Sequence, residues 1–302
     1  MLIPNAIRFE NLSLDKAVEY AKTRGIIIVP AATTEGHGYH TPLGTDTFIA
    51  EYIAGRLSEA TGIPALLPSP IRCGCSPTFH FDMKGDPMVG TLAISHMTMQ
   101  TYIKDLVRGL WSTGFRKIIF VQTHGQEWNF QTIVQEVATE MRREGKYVYM
   151  EGGTYWELCR KSLEKEIKAP FWHADEWETS AMLHICPELV RMDAIEGISR
   201  VPHIDKSLMK RSVCMDESEA FAVQDIASWV NIPEVGEIHD FGVAPREAIL
   251  SATAEKGKKV LDVAYEKYLL LLRDLESYYL PEEVPGATQR NRPEKPIRVV
   301  NY

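Results

Sequence analysis

The chain has 302 residues, 45% hydrophobic and 25% charged, which excludes disordered, fibrous and collagen-like architectures and suffices for a core of ordinary size. Lys and Arg number 33 against 41 Asp and Glu, a net charge of −8; with no basic block, this argues against nucleic acid or an anionic membrane as partner. Five scattered cysteines (Cys73, Cys75, Cys159, Cys186 and Cys214) point to reduced thiols rather than a disulfide scaffold. The opening MLIPNAIRFENLS lacks the basic and apolar regions of a secretory signal. The longest apolar stretches, such as residues 25–32, fall far short of the roughly 20 residues that a membrane helix needs. A cytoplasmic protein is expected.

In chain order, residues 25–31 (GIIIVPA) read as a fully buried strand, β-branched and continuous rather than alternating. A polar loop over 33–46 follows. Phe48, Ile49, Tyr52, Ile53 and Leu57 then mark one face of a helix that stops before Gly62. Residues 65–67 are a short strand candidate, and 69–90, punctuated by Pro and Gly, a long functional loop. Tyr102, Ile103, Leu106, Val107, Leu110 and Trp111 form a helix stripe closed by Gly114. Residues 117–121 read as a buried strand, Phe130, Ile133, Val134, Val137 and Met141 as a helix, and 147–150 as a further strand. A last long helix runs from about 252 to 279, and beyond Pro281 the composition turns irregular. Alternating strands and helices predict an α/β fold of three layers, α/β/α, with a mostly parallel central sheet. One domain over 1–280 and a tail over 281–302 are expected.

In such sheets ligands bind beyond the carboxyl ends of the strands, so the residues after Ala31 and Val121 are the places to inspect. The first loop reads Glu35-Gly-His37-Gly-Tyr-His40-Thr-Pro-Leu-Gly-Thr-Asp46, and the second carries His124-Gly-Gln126-Glu127-Trp-Asn129. A third segment supplies Trp172-His173-Ala-Asp175-Glu176-Trp-Glu178-Thr-Ser180. Imidazoles and carboxylates are the donors that Zn, Mn and Fe accept, and three such segments suggest one shared site. Each piece alone has a plainer explanation. Asp46 serves equally as a helix N-cap, Glu176 and Glu178 suit a helix N-terminus, and a lone loop histidine is commonly a surface hydrogen-bonding residue.

The run Glu35-Gly-His37-Gly-x-His40-x-Pro-Leu-x-Thr-Asp46 resembles the signature of the creatininase (creatinine amidohydrolase) family. His80 with Gly90-Thr91, His124-Gly125 with Asn129, and His173-Ala-x-x-x-Glu178-Thr-Ser180 resemble further motifs of that family, in order. So do Gly242-Val243 with Ala252-Thr-Ala-Glu-Lys-Gly257. The resemblance spans roughly 25–275 and implies a creatininase-like fold with two divalent metals per subunit, Zn, Mn or Fe. It assigns Glu35 and His124 to one metal, His37 to the other, Asp46 to both, and Glu178 to completing or supporting the second. Gln126 stands where creatininase itself carries a ligating glutamate, and the glutamate comes one residue later. Glu127 is therefore placed on the substrate side of the pocket, with its choice against Glu178 as the last ligand left open. A homo-oligomer, commonly a hexamer, is implied as well.

A pair of divalent cations lowers the pKa of a bridging water and holds a developing oxyanion. His173, with Glu178 beside it, is the catalytic candidate, carrying a proton from the nucleophile to the leaving atom. His80 and Trp172 are candidates to line the substrate pocket, and serve equally as a loop hydrogen-bonding residue and a core aromatic. If the leaving atom is nitrogen, the reaction is hydrolysis of a cyclic amide or formamide. If it is carbon, a cyclic diketone opens through an enolate. The resemblance favours the second, in inositol catabolism, on a small cyclic substrate of the 3-dehydro-scyllo-inosose type. Rival classes lack their signals: no Gly-x-Gly-x-x-Gly, no phosphate-cradling Gly-Lys-Ser/Thr loop and no Gly-x-Ser-x-Gly elbow is present. Cys73-Gly-Cys75 has no second cysteine pair at zinc-like spacing. A non-catalytic scaffold has no reason to keep mutually repelling ligands.

Overall fold

The computed structural model describes residues 3–75, 87, 89–125, 127–167, 173–195 and 246–277. His80, Gln126, Trp172, Cys214, Gly242, Val243 and the tail over 281–302 lie outside the described residues, as does the side chain of Glu127. Among the described residues three parallel strands, β1 (Ile26–Ala31), β2 (Lys117–Gln122) and β3 (Tyr149–Thr154), pair in that order. Ile28 lies opposite Ile119, and Ile119 opposite Glu151. The α-helices among the described residues are α1 (Leu14–Thr23), α2 (Thr45–Thr61), α3 (His96–Thr113), α4 (Glu127–Arg143), α5 (Tyr155–Leu163), α6 (Glu176–Ile185), α7 (Arg246–Leu250) and α8 (Ala254–Ser277).

The alternation of strand side chains divides the core between the two sheet faces. Ile26, Ile28, Ile119 and Val121 pack with Ile49, Ile53 and Leu57 of α2, Tyr155 and Cys159 of α5, Met182 of α6 and Val260, Ala264 and Tyr268 of α8. Ile27, Val29, Ile118 and Phe120 pack with Met99, Ile103 and Val107 of α3 and with Phe130, Ile133 and Val137 of α4. Three α/β/α layers result, and β1 and β2 are buried along their whole length because helices cover both faces. Each isoleucine buried in this way contributes about 1.5–3 kcal/mol to the scaffold.

Two expected strands need correction. Residues 65–67 form isolated bridges from Ala65 to Arg8 and Ile28 rather than a strand. Pro64 and Pro68 flank them and supply no N–H for a ladder. The strand read at 147–150 begins at Tyr149 and continues through Gly152 and Gly153 to Thr154. A glycine pair looks like a turn in sequence. Here a Cβ on Gly152 would lie 2.9 Å from both Cβ and O of Phe120, so the close approach of β3 to β2 requires glycine. Helix α5 follows at once, over a stretch that carries no motif. The last helix runs over Ala254–Ser277, within the span read for it.

Candidate metal centre

The loop after β1 leads directly into α2, and the loop after β2 returns beside it. Thr123 donates its hydroxyl to the Asp46 carbonyl at 2.7 Å, and Thr47 donates to the Thr33 carbonyl at 3.1 Å. These bonds fix the start of α2 at the carboxyl end of the sheet. Asp46 stands in the first turn of α2, whose N-cap is Gly44, so its carboxylate is not the cap of this helix. The side chain turns instead toward the histidines. Glu178 comes from the first turn of α6, where Asp175 is the true cap, accepting from Trp177 N–H at 2.8 Å and Glu178 N–H at 3.1 Å.

Five buried side chains meet here. His124 Nδ1 lies 2.9 Å from Glu35 Oε1 and 3.1 Å from Asp46 Oδ2. His37 Nε2 lies 3.4 Å from Asp46 Oδ1 and 3.5 Å from Glu178 Oε2. Two three-residue clusters result, Glu35–Asp46–His124 and His37–Asp46–Glu178, each with its ligand atoms within 4.8 Å of one another and with Asp46 common to both. His173 borders them at half-buried depth: its Nδ1 is 3.7 Å from Glu35 Oε1, and Glu35, His37 and His173 form a third such cluster. Its Nε2 donates to the Gly36 carbonyl at 2.6 Å. His80 and Trp172 fall outside the described residues, so of the pocket-lining candidates neither is placed.

The donors fit divalent cations. His37 Nδ1 faces the Glu35 carbonyl at 3.2 Å; a carbonyl only accepts, so this nitrogen carries the proton and the neutral ring keeps its lone pair on Nε2. That lone pair points into a gap shared with two carboxylate oxygens, and neither His37 Nε2 nor Asp46 Oδ1 has a hydrogen-bond partner although both are buried. Such atoms are costly unless a cation joins them. A tetrahedral zinc with bonds of about 2.0–2.2 Å separates its ligands by about 3.3–3.6 Å, which the His37 contacts match.

Without a metal, protons supply the positive charge. Burial lowers the pKa of His37, but the Asp46 and Glu178 carboxylates outweigh it and hold the imidazole well above 6.5. At His124 burial is likewise outweighed, by Glu35 and Asp46, and the pKa rises to about 10. His40, three residues beyond His37, goes the other way. Burial first, then the charges of His37 and His173, push it down to about 4, with the Ala174 backbone opposing. It therefore stays neutral, and its Nε2 bonds the Thr179 hydroxyl at 3.0 Å.

Sequence reasoning gave no role to His40, Ala174 or Gly257. Ala174, fully buried, has φ +51°, a conformation rare outside glycine, and its N–H reaches Glu178 Oε2 at 2.6 Å. A Cβ on Gly257 of α8 would fall 1.8 Å from the Ser180 carbonyl oxygen, so glycine lets α8 lie directly on α6. Both residues sit inside motifs already noted, and only the assembled neighbours reveal why.

A family model described as creatininase, creatinine amidohydrolase, matches residues 10–272. The chain is 27% identical over 295 residues to a 3-dehydro-scyllo-inosose hydrolase of Thermotoga maritima, covering 94% of this chain and 88% of that protein. Its fold resembles a manganese form of creatininase (TM-score 0.68, 16% identity, 90% of this chain and 100% of that chain). It also resembles a mutant creatininase of Zn–Zn type (TM-score 0.69, 17% identity, 90% of this chain and 99% of that chain).

Proposed function

Because this chain belongs to the creatininase family and is a divalent-metal-dependent hydrolase, we propose that it hydrolyses a carbon–carbon bond in a small cyclic diketone of the 3-dehydro-scyllo-inosose type. The observation that carries this reading is the match to the Thermotoga maritima enzyme, which runs nearly end to end in both chains. In this reading Glu35, Asp46 and His124 hold one cation, and His37, Asp46 and Glu178 hold a second. When bound, the cations supply an acidified water and a polarised carbonyl.

The chain's own residues then move the proton. The Gly36 carbonyl keeps a hydrogen on His173 Nε2, which leaves the lone pair of the neutral ring on Nδ1. His173 Nδ1 takes the proton of the attacking water, and the nearby Glu35 carboxylate steadies the resulting imidazolium. The water oxygen bonds to one ketone carbon, and the bond from that carbon to its α-carbon breaks. The released electron pair rests on the α-carbon as the enolate of the second ketone. His173 Nδ1 returns the proton there. One water is added, and the ring becomes a linear keto acid. The second reading is hydrolysis of a cyclic amide, with the same proton delivered to nitrogen; the description of the family model favours it.

We also infer that copies associate, since exposed Tyr39, Leu43, Val89 and Leu92 border the metal-bearing loop and leave an apolar surface to cover. The thiols of Cys73, Cys75, Cys159 and Cys186 suit a reducing cytoplasm. Among the described residues no helix is long and apolar enough to cross a membrane.

Mass spectrometry for the addition of one water tests the substrate. Metal-loaded protein is offered cyclic polyhydroxylated diketones beside cyclic amides, with a chelated control. Chelator-sensitive opening of the diketone alone is expected. Opening of the amide alone overturns the carbon–carbon reading.

A further inference from the structure

The His37–Asp46–Glu178 cluster joins two segments that are remote in sequence, the loop after β1 and the first turn of α6. Glu178 reaches His37 only if that turn holds its shape, and the turn is strained. Ala174 is a non-glycine residue at φ +51°, which costs of the order of 1–2 kcal/mol, and its N–H bonds Glu178 Oε2 at 2.6 Å. A neighbour must therefore hold the turn against relaxation. His40 is placed to do this. It belongs to the same loop as His37, where Thr41 bonds the His37 carbonyl at 2.8 Å. Its ring bonds Thr179, the residue after Glu178, at 3.0 Å, with both side chains buried. Its own carbonyl accepts from Arg191 N–H at 2.7 Å, beyond the far end of α6. His40 thus holds the Glu178 turn through its ring and the chain beyond α6 through its carbonyl, yet it belongs to none of the three ligand clusters.

We propose that His40 is a positioning residue that locks the His37 loop to the Glu178 turn and so preforms the second cation site. This rests on the two-cation reading above. Partners that orient metal ligands typically contribute about 10- to 100-fold to metal affinity.

The test is calorimetric titration of the full chain, stripped of metal, with Zn²⁺ alone. The unaltered chain is expected to bind two ions. His40→Ala should weaken one of the two steps by about 10- to 100-fold and leave the other within about twofold. Thr179→Val, nearly isosteric, should do the same even where His40→Ala fails to fold. The double variant should be no worse than either single one, and His40→Gln should recover part of the loss. A purely structural role would lower thermal stability while leaving the ratio of the two affinities unchanged, and that result overturns the proposal. Failure of the unaltered chain to bind two ions overturns instead the reading on which it rests.

Discussion

Replacing Gly257 with alanine sets two effects of opposite sign against each other. Gly257 is the fourth residue of α8, and alanine inside a helix is better than glycine by about 1 kcal/mol. Against this, the new Cβ would stand 1.8 Å from the Ser180 oxygen, 2.3 Å from its carbonyl carbon and 2.8 Å from Ala181 N. All three are backbone atoms of α6 and no rotamer change removes them. Ordinary contact requires the helices to part by about 1.5 Å or more. Overpacking of this kind costs about 1–3 kcal/mol, so against a propensity gain of about 1 kcal/mol the net effect runs from neutral to about 2 kcal/mol destabilising. The same shift carries the first turn of α6, and with it the Glu178 carboxylate, away from His37, now 3.5 Å distant. Misplacement by about 1 Å costs roughly 100-fold in rate. Urea unfolding with steady-state turnover of the metal-loaded variant checks both effects. A Gly257→Ala protein that is about 1 kcal/mol more stable and fully active would refute the close-packing argument.

Other consequences follow from the site. Asp46→Ala should remove both cations and all turnover while the circular dichroism of the fold persists; a variant with full metal content contradicts the shared role of Asp46. His173→Ala should keep its metals and lose turnover by about 100- to 10,000-fold, the range of general acid–base catalysis, whereas unchanged turnover removes His173 from the reaction. Stability of the metal-free protein should depend on pH. The folded pKa of His124 is raised from 6.5 to about 10, and that of His37 is raised too, with burial outweighed by the carboxylates in both. A raised pKa contributes stability that is complete below the unfolded value and is lost as pH climbs through the folded one. Chelated protein should therefore lose a few kcal/mol between about pH 6.5 and pH 10. Metal displaces these protons, so the loaded protein should show a flatter thermal-denaturation profile over that window.

What the sequence made legible followed from local pattern. β1 and β2 are short β-branched runs, and their burial on both faces is the direct consequence of that pattern. The stripes of α2, α3 and α4 were readable because one face of each is apolar. β3 was displaced because Gly152 and Gly153 answer to Phe120 on the next strand, a contact between distant residues. The site shows the same division. Glu35, His37, Asp46, His124, His173 and Glu178 stood out by residue type, spacing and resemblance, and the structure gathers all six. The sequence did not reveal why they hold their places. The His40–Thr179 bond spans 139 positions, the left-handed Ala174 has no compositional mark, and the clearance at Gly257 exists only once α8 lies on α6.

The most direct test of the centre is anomalous diffraction from crystals of the protein purified without chelator, recorded at the zinc and manganese absorption edges. Two peaks are predicted, one among Glu35, Asp46 and His124 and one among His37, Asp46 and Glu178, with the Asp46 carboxylate between them. A single peak that Asp46 does not touch, or none in metal-supplemented crystals, would contradict the shared two-cation site.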